Sequence, residues 1–213
     1  MARRLPEPKR RLPSRDPKVR FILYCEGKNT EPAYFAAVKR LHAGALVEVI
    51  TEPAAGVPLT IAQKAADHAK ALQRSKKDSF EKGDRIWAVF DVDAHPNFAQ
   101  AVALCQAANV KVARSNPCFE VWLILHHQDF HKPDHRHDVQ RHFATLAPGY
   151  DPERGKLPDC KAMMKDIDDA ERRAEKQLQA RADQGDPFGP PSTTVQELTR
   201  AIREAADSSR RKP

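Results

Sequence analysis

Between residues 19 and 127, short apolar runs alternate with longer segments of helical periodicity, and no other feature constrains the fold as strongly. "VRFILYC" (19–25) is a continuous apolar run, as expected of a strand buried on both faces of a parallel sheet. A helix is predicted over 31–43, with Pro32 in its first turn, where a missing N–H costs nothing. "ALVEVI" (45–50) predicts a second strand. Residues 59–77 predict a long amphipathic helix whose Thr60, Ile61, Ala65, Ala69 and Leu72 follow one face. "DRIWAVFDVD" (84–93) is the clearest strand; a helix over 98–109, a strand over 110–115 and a helix over 118–127 complete the pattern. Strands separated by helices of ten or more residues imply a mainly parallel sheet with crossover helices on its faces. The expected fold is α/β, a three-layer, mainly parallel sheet over 19–127 with additional C-terminal helices packed on it.

Residues 128–158 are polar, rich in His and Pro and poorly periodic, and read as a variable connecting excursion. A strongly charged helix is predicted over 159–183 and a last one over 190–207, with Ser192 or Thr193 as its cap and Val195, Leu198 and Ile202 as its buried stripe. Residues 208–213 read as a tail. At the other end, 1–18 form a Pro-rich segment that cannot fold by itself. Residues 1–20 hold eight basic side chains against two acidic ones, nearly all of the chain's net charge of +7. A phosphate-binding arm and a solubilising tail both fit it. The rest is close to neutral, so composition does not indicate a basic DNA-binding face. Four scattered cysteines without a CxxC pair suit buried, reduced thiols. No apolar run approaches the roughly 18 residues that span a bilayer, and the N-terminus lacks the apolar middle of a signal peptide. The expectation is a cytoplasmic protein without a membrane segment.

Two strands end in acids. The first is followed by Glu26, Gly27 and Lys28, and the third by Asp91 and Asp93. In an open parallel sheet ligands bind at the carboxyl ends of the strands, and two aspartates two apart on extended backbone point to one side. Like charges held together raise each other's pKa; a divalent cation such as Mg²⁺, which favours a few hard oxygen ligands, removes that cost. Asp91 and Asp93 also read as solvated turn residues or as helix caps ahead of Pro96. Glu31 reads equally as a first-turn acid or a metal ligand, and Glu120 as a cleft acid or an exposed helix position. His95 stands where it can assist as acid or base, bind a phosphate, or simply cap or pack.

Other signals carry less. "EGKNT" contains G-K-x-T but lacks the upstream glycine of a P-loop. "FDVDAH" has the DxD of haloacid-dehalogenase phosphatases without the residues that follow it there. Six histidines lie between His126 and His142, with His127 and His131 spaced for a helical metal pair. Pro133 interrupts them and no cysteine joins, so solvated loop histidines fit better than zinc.

Taken in order, "EGKNTE", "VFDVDAH", "SNPCFEVWLILHH" and "PSTTVQEL" resemble the RloB-like family over most of 19–205. That family is associated with bacterial and archaeal defence loci, often beside an ABC/AAA-type ATPase, and is similar to a divergent branch of the Toprim superfamily. The resemblance implies a Toprim-like core and metal-dependent cleavage of nucleic-acid phosphodiesters, DNA or RNA, with Mg²⁺ or Mn²⁺. By position Glu26 matches the Toprim glutamate that serves as acid/base or metal ligand, and Asp91 and Asp93 match the metal-binding aspartates. Glu31 and Glu120 match further acids of the family pattern, and Lys156 a lysine that can contact a phosphate. Gly27 is expected to let the backbone turn sharply toward a phosphate, with Lys28 countering its charge. The other reading is a non-catalytic binding or regulatory subunit of a defence ATPase complex.

Overall fold

The computed structural model describes residues 19–43, 45–51, 57–74, 84–92, 97–155 and 157–211. Asp93, His95, Lys156 and the basic N-terminal segment lie outside the described residues. The chain forms β1 (Arg20–Cys25), α1 (Thr30–Leu41), β2 (Leu46–Thr51), α2 (Pro58–Arg74), β3 (Arg85–Asp91), α3 (Phe98–Ala107) and β4 (Lys111–Asn116). Then come α4 (Glu120–Leu125), α5 (Arg136–Leu146), α6 (Cys160–Met163), a 3₁₀ turn, α7 (Ile167–Asp183), β5 (Ser192–Thr193) and α8 (Val195–Arg211).

The sheet runs β2-β1-β3-β4-β5, with the first four strands parallel and the two-residue β5 antiparallel to β4. Side chains alternate across it, as the pleat requires. Phe21, Leu23, Cys25, Trp87 and Val89 enter one core, shared with α1, α4, α5, α6, α7 and α8. Ile22, Tyr24, Ile86, Ala88 and Phe90 enter the other, under α2 and α3. The result is the three-layer, mainly parallel α/β architecture expected from the alternating segments. α2 buries Ile61, Ala65 and Ala69 as expected, while Thr60 is exposed.

Strand order matters most for function. The chain steps from β1 to β2 on one side and then to β3 on the other, with α1 on one face and α2 and α3 on the opposite face. The β1/β3 boundary is therefore the topological switch point, where the connections diverge and leave a crevice at the strands' carboxyl ends.

Three segments differ from the sequence reading; the simplest is the tail read over 208–213, whose residues 208–211 continue α8. The His- and Pro-rich stretch contains an eleven-residue helix, α5, which buries Val139 and Phe143. Ser192 and Thr193 form β5, and α8 begins at Val195, whose N–H donates to Thr193 Oγ1 at 3.3 Å. Hydroxyl pairing explains the difference: Ser115 Oγ and Thr193 Oγ1 lie 2.9 Å apart, and Thr194 Oγ1 accepts from the Arg114 N–H at 3.0 Å. The stripe Val195, Leu198 and Ile202 is fully buried.

α7 and α8 are tied by Glu171, which is 2% exposed and accepts from Thr199 Oγ1 at 2.8 Å, Arg200 Nε at 3.1 Å and Arg203 Nη2 at 2.7 Å. Removing one partner of a buried, hydrogen-bonded charge cluster strands the others. Here both arginines still reach water, which softens the loss. Glu171→Ala is expected to lower stability by about 2 kcal/mol, read as a fall in the urea midpoint. An unchanged midpoint would show that the cluster contributes nothing.

Candidate functional site

Glu26 leaves β1 with its own N–H donating to the Val89 carbonyl at 3.0 Å, which fixes it against β3. Its carboxylate accepts the Asp91 N–H at 3.3 Å. The two acids that follow the two central strands are thus linked directly at the switch point. The alternation of β3 then places Asp91, next after Phe90, on the side of the sheet that carries α1, α4 and α5.

Glu31 reaches the same place from the first turn of α1, and Glu120 from the start of α4; each, like Asp91, is 5% exposed. Glu26, Gly27, Lys28, Glu31, Asp91 and Glu120 line one cavity of about 290 Å³, at whose wall the N-terminus of α1 opens. Among the described residues, every acid singled out in the sequence falls in that pit. β3 ends at Asp91, and the expected alignment of Asp91 with Asp93 lies outside the described residues.

Gly27 makes a contact beyond the turn expected of it. Its N–H donates to Glu31 Oε1 at 3.1 Å, and a Cβ in its place would lie 1.9 Å from Glu31 Oε2. Its φ is not positive. Glycine is present because the Glu31 carboxylate occupies the space of a side chain.

Three residues of the site have no counterpart in the sequence reading. Arg136, the first residue of α5, makes an ion pair with Asp91. Gln140, one turn later, donates to Glu120 Oε1 at 3.4 Å, and the Tyr150 hydroxyl donates to the same oxygen. The spacing of Val139, Phe143 and Leu146 is the signal that could have revealed α5, and with it the Arg136–Gln140 face.

The electrostatics follow from crowding acids in a buried place. Burial first, then Glu120 and Glu26, raises the Glu31 carboxyl to about 7, against two backbone N–H bonds that pull it down. Burial and then Glu31 push Asp91 up as well, with Arg136 opposing. The donors are all carboxylate oxygens, which suits a hard divalent cation such as Mg²⁺ or Mn²⁺. Among the described residues no three acidic, His or Cys side chains are arranged to hold one ion as they stand. The chemistry of the donors fits a cation, and the guanidinium of Arg136 supplies part of the positive charge the pit calls for.

The histidine cluster disperses. His126 is 2% exposed, bonded to the Met163 carbonyl and the Tyr34 hydroxyl at 3.1 Å each, and burial lowers its pKa to about 3. His127 packs on Phe143, and His142 stacks on Phe130. His127 and His131 lie between α4 and α5, so no helix aligns them. All four cysteines are buried and unpaired.

Among the described residues no helix is long and apolar enough to cross a membrane. Neither a curated protein nor a solved structure matches the chain. The sequence profile of the RloB-like proteins matches residues 21–202, a span that holds both strand-end acids, Glu31, Glu120 and Arg136. The chain belongs to the RloB-like family.

Proposed function

We propose that the protein is a metal-dependent, Toprim-type nuclease that cleaves nucleic-acid phosphodiesters as the toxic effector of a bacterial or archaeal anti-phage system. One observation carries the reading: Glu26, Glu31, Asp91 and Glu120 converge from three separate segments in one pit at the β1/β3 switch point. No structural requirement of the sheet calls for four carboxylates there, and gathering them is costly. A Mg²⁺ or Mn²⁺ held by Asp91 and Asp93, with Glu26 or Glu31, would polarise the scissile phosphate and make a bound water more acidic. Glu26 would take the proton of the attacking water or serve as a further ligand. As the water oxygen bonds to phosphorus, the bond to the leaving sugar oxygen breaks and that oxygen takes up a proton. Lys28 would hold a flanking phosphate, with His95 and Lys156 as further phosphate contacts. Tyr150 and Gln140 fix the Glu120 carboxylate.

A second reading has its own observation. Asp91 is paired with Arg136, Glu120 is held by Tyr150 and Gln140, and Glu31 is bonded to Gly27. Such an engaged set also suits a binding or regulatory subunit of a defence ATPase complex. The two separate in cells that express the chain with a neighbouring ABC/AAA-type ATPase and receive a phage trigger, followed by sequencing of broken DNA and RNA ends. New ends that vanish in Glu26→Ala, with the complex still intact, are expected. Toxicity undiminished in Glu26→Ala and Asp91→Ala would refute the nuclease reading.

A further inference from the structure

The acid pit does not end at Tyr150. Arg136, Gln140, Tyr150 and Pro152 form its outer wall and are also the inner wall of a second cavity, about 910 Å³ in volume. Along one side runs a single face of α5, His137, Gln140, Arg141 and Ala144, and along the other the stretch from Tyr150 to Glu153. Together they make one trough leading away from the carboxylates. Its volume falls in the range of roughly 300–1,000 Å³ that holds whole organic ligands.

Its charge is mixed. Asp151 and Glu153 line it together with Arg141; Arg141 is paired with Asp138, and Asp151 accepts from the Arg154 N–H at 3.2 Å, so the trough does not favour a phosphate group over a neutral one. A nucleobase fits better: it is uncharged, has flat faces for Pro152 and the Arg141 guanidinium, and its amino and imino N–H groups match a carboxylate and the Gln140 amide. In a duplex the bases are stacked inside and only phosphates face outward, so none can enter. An unpaired strand presents a phosphate and a free base one sugar apart, and pit and trough adjoin through the wall they share.

We propose that the trough beside the pit is a base-binding subsite, which makes the preferred substrate an unpaired strand or loop and not a duplex. The proposal rests on the nuclease reading for the role of the pit. It is tested by binding, so that the two fail separately. The full chain carrying Asp91→Asn is titrated into a labelled single-stranded oligonucleotide and into its duplex, in both RNA and DNA form, and anisotropy is read. Ala144→Trp fills the trough, with a thermal melt to verify folding; Asp151→Ala removes the acceptor and is the second variant should the first fail to fold. Single strands are expected to bind at least ten-fold more weakly to Ala144→Trp, while duplex affinity, which the basic N-terminal segment can also supply, stays constant. Asp151→Ala should erase a preference for oligo(C) over oligo(U). Equal loss for single strand and duplex, or no loss in either variant, overturns the subsite. Cleavage is scored separately, in cells that carry the neighbouring ATPase and receive the phage trigger: base-dependent binding by the chain without cleavage there refutes the nuclease reading and leaves the subsite standing.

Discussion

Asp91→Asn is expected to reduce metal-dependent cleavage by roughly a thousand-fold or more, a loss of about 4 kcal/mol of transition-state stabilisation. The substitution keeps size but replaces a carboxylate oxygen with an amide NH₂ and so removes one negative charge from a residue 5% exposed at the end of the central strand. Calorimetry supplies the cause. Mn²⁺ should bind the unsubstituted chain and bind Asp91→Asn at least ten-fold more weakly, because a neutral amide is a poor ligand for a hard cation. Arg136→Gln provides the opposite control, since its guanidinium is paired with the same carboxylate; its loss is expected to leave Mn²⁺ affinity equal or higher. Equal Mn²⁺ binding by the unsubstituted chain and Asp91→Asn would remove Asp91 from the metal site. Loss of binding without any cleavage to lose would favour the regulatory reading.

The parts of this site legible in the sequence are those encoded by neighbours in the chain. β1 and β3 are buried on both faces, so they read as unbroken apolar runs, and an acid at the end of such a run stands out. Glu31 and Glu120 were visible as acids beside helix starts, although their exposure was not, because the depth of a helix terminus is set by what packs over it. Gly27 was visible as a special residue, but its contact with Glu31 was not. Its geometry answers a side chain four positions on, and local turn statistics do not contain that contact.

Arg136 was invisible for a more basic reason. It meets Asp91 across 45 positions, through a helix in a segment whose many polar residues mask a narrow apolar stripe. The order β2-β1-β3-β4 was also absent from the sequence, yet it alone makes Glu26 and Asp91 neighbours. The unforeseen strand at Ser192 and Thr193 has the same origin: hydroxyl residues before a helix suit a cap or a short edge strand, and here the strand's partner, Arg114 to Asn116, lies almost 80 positions away.

Glu31→Gln is expected to stabilise the protein at pH 8 while changing little below about pH 4.5. Folded Glu31 gives up its proton only near 7, where burial and the carboxylates of Glu120 and Glu26 have raised it from an ordinary value of 4.5. The folded state therefore holds a proton that the unfolded chain releases, and stability falls as pH rises from about 4.5 to about 7, then levels off. A shift of that size corresponds to about 3 kcal/mol, an upper value if the pit relaxes. Glutamine is neutral throughout, and its amide oxygen can still accept the Gly27 N–H that now bonds Oε1 at 3.1 Å. Urea unfolding in a chelator, from pH 4.5 to pH 8, measures the difference. Gly27→Ala should flatten the same pH dependence by a different route, because its Cβ would expel the Glu31 carboxylate from the pit, but at a lower stability throughout. With Mn²⁺ in place of the chelator, the advantage of Glu31→Gln at pH 8 is expected to shrink, since a bound cation relieves the repulsion that the substitution removes. A stability difference independent of pH, or a less stable Glu31→Gln at pH 8, would show that Glu31 is an ordinary ionised carboxylate and that the crowding of charge in the pit does not govern it.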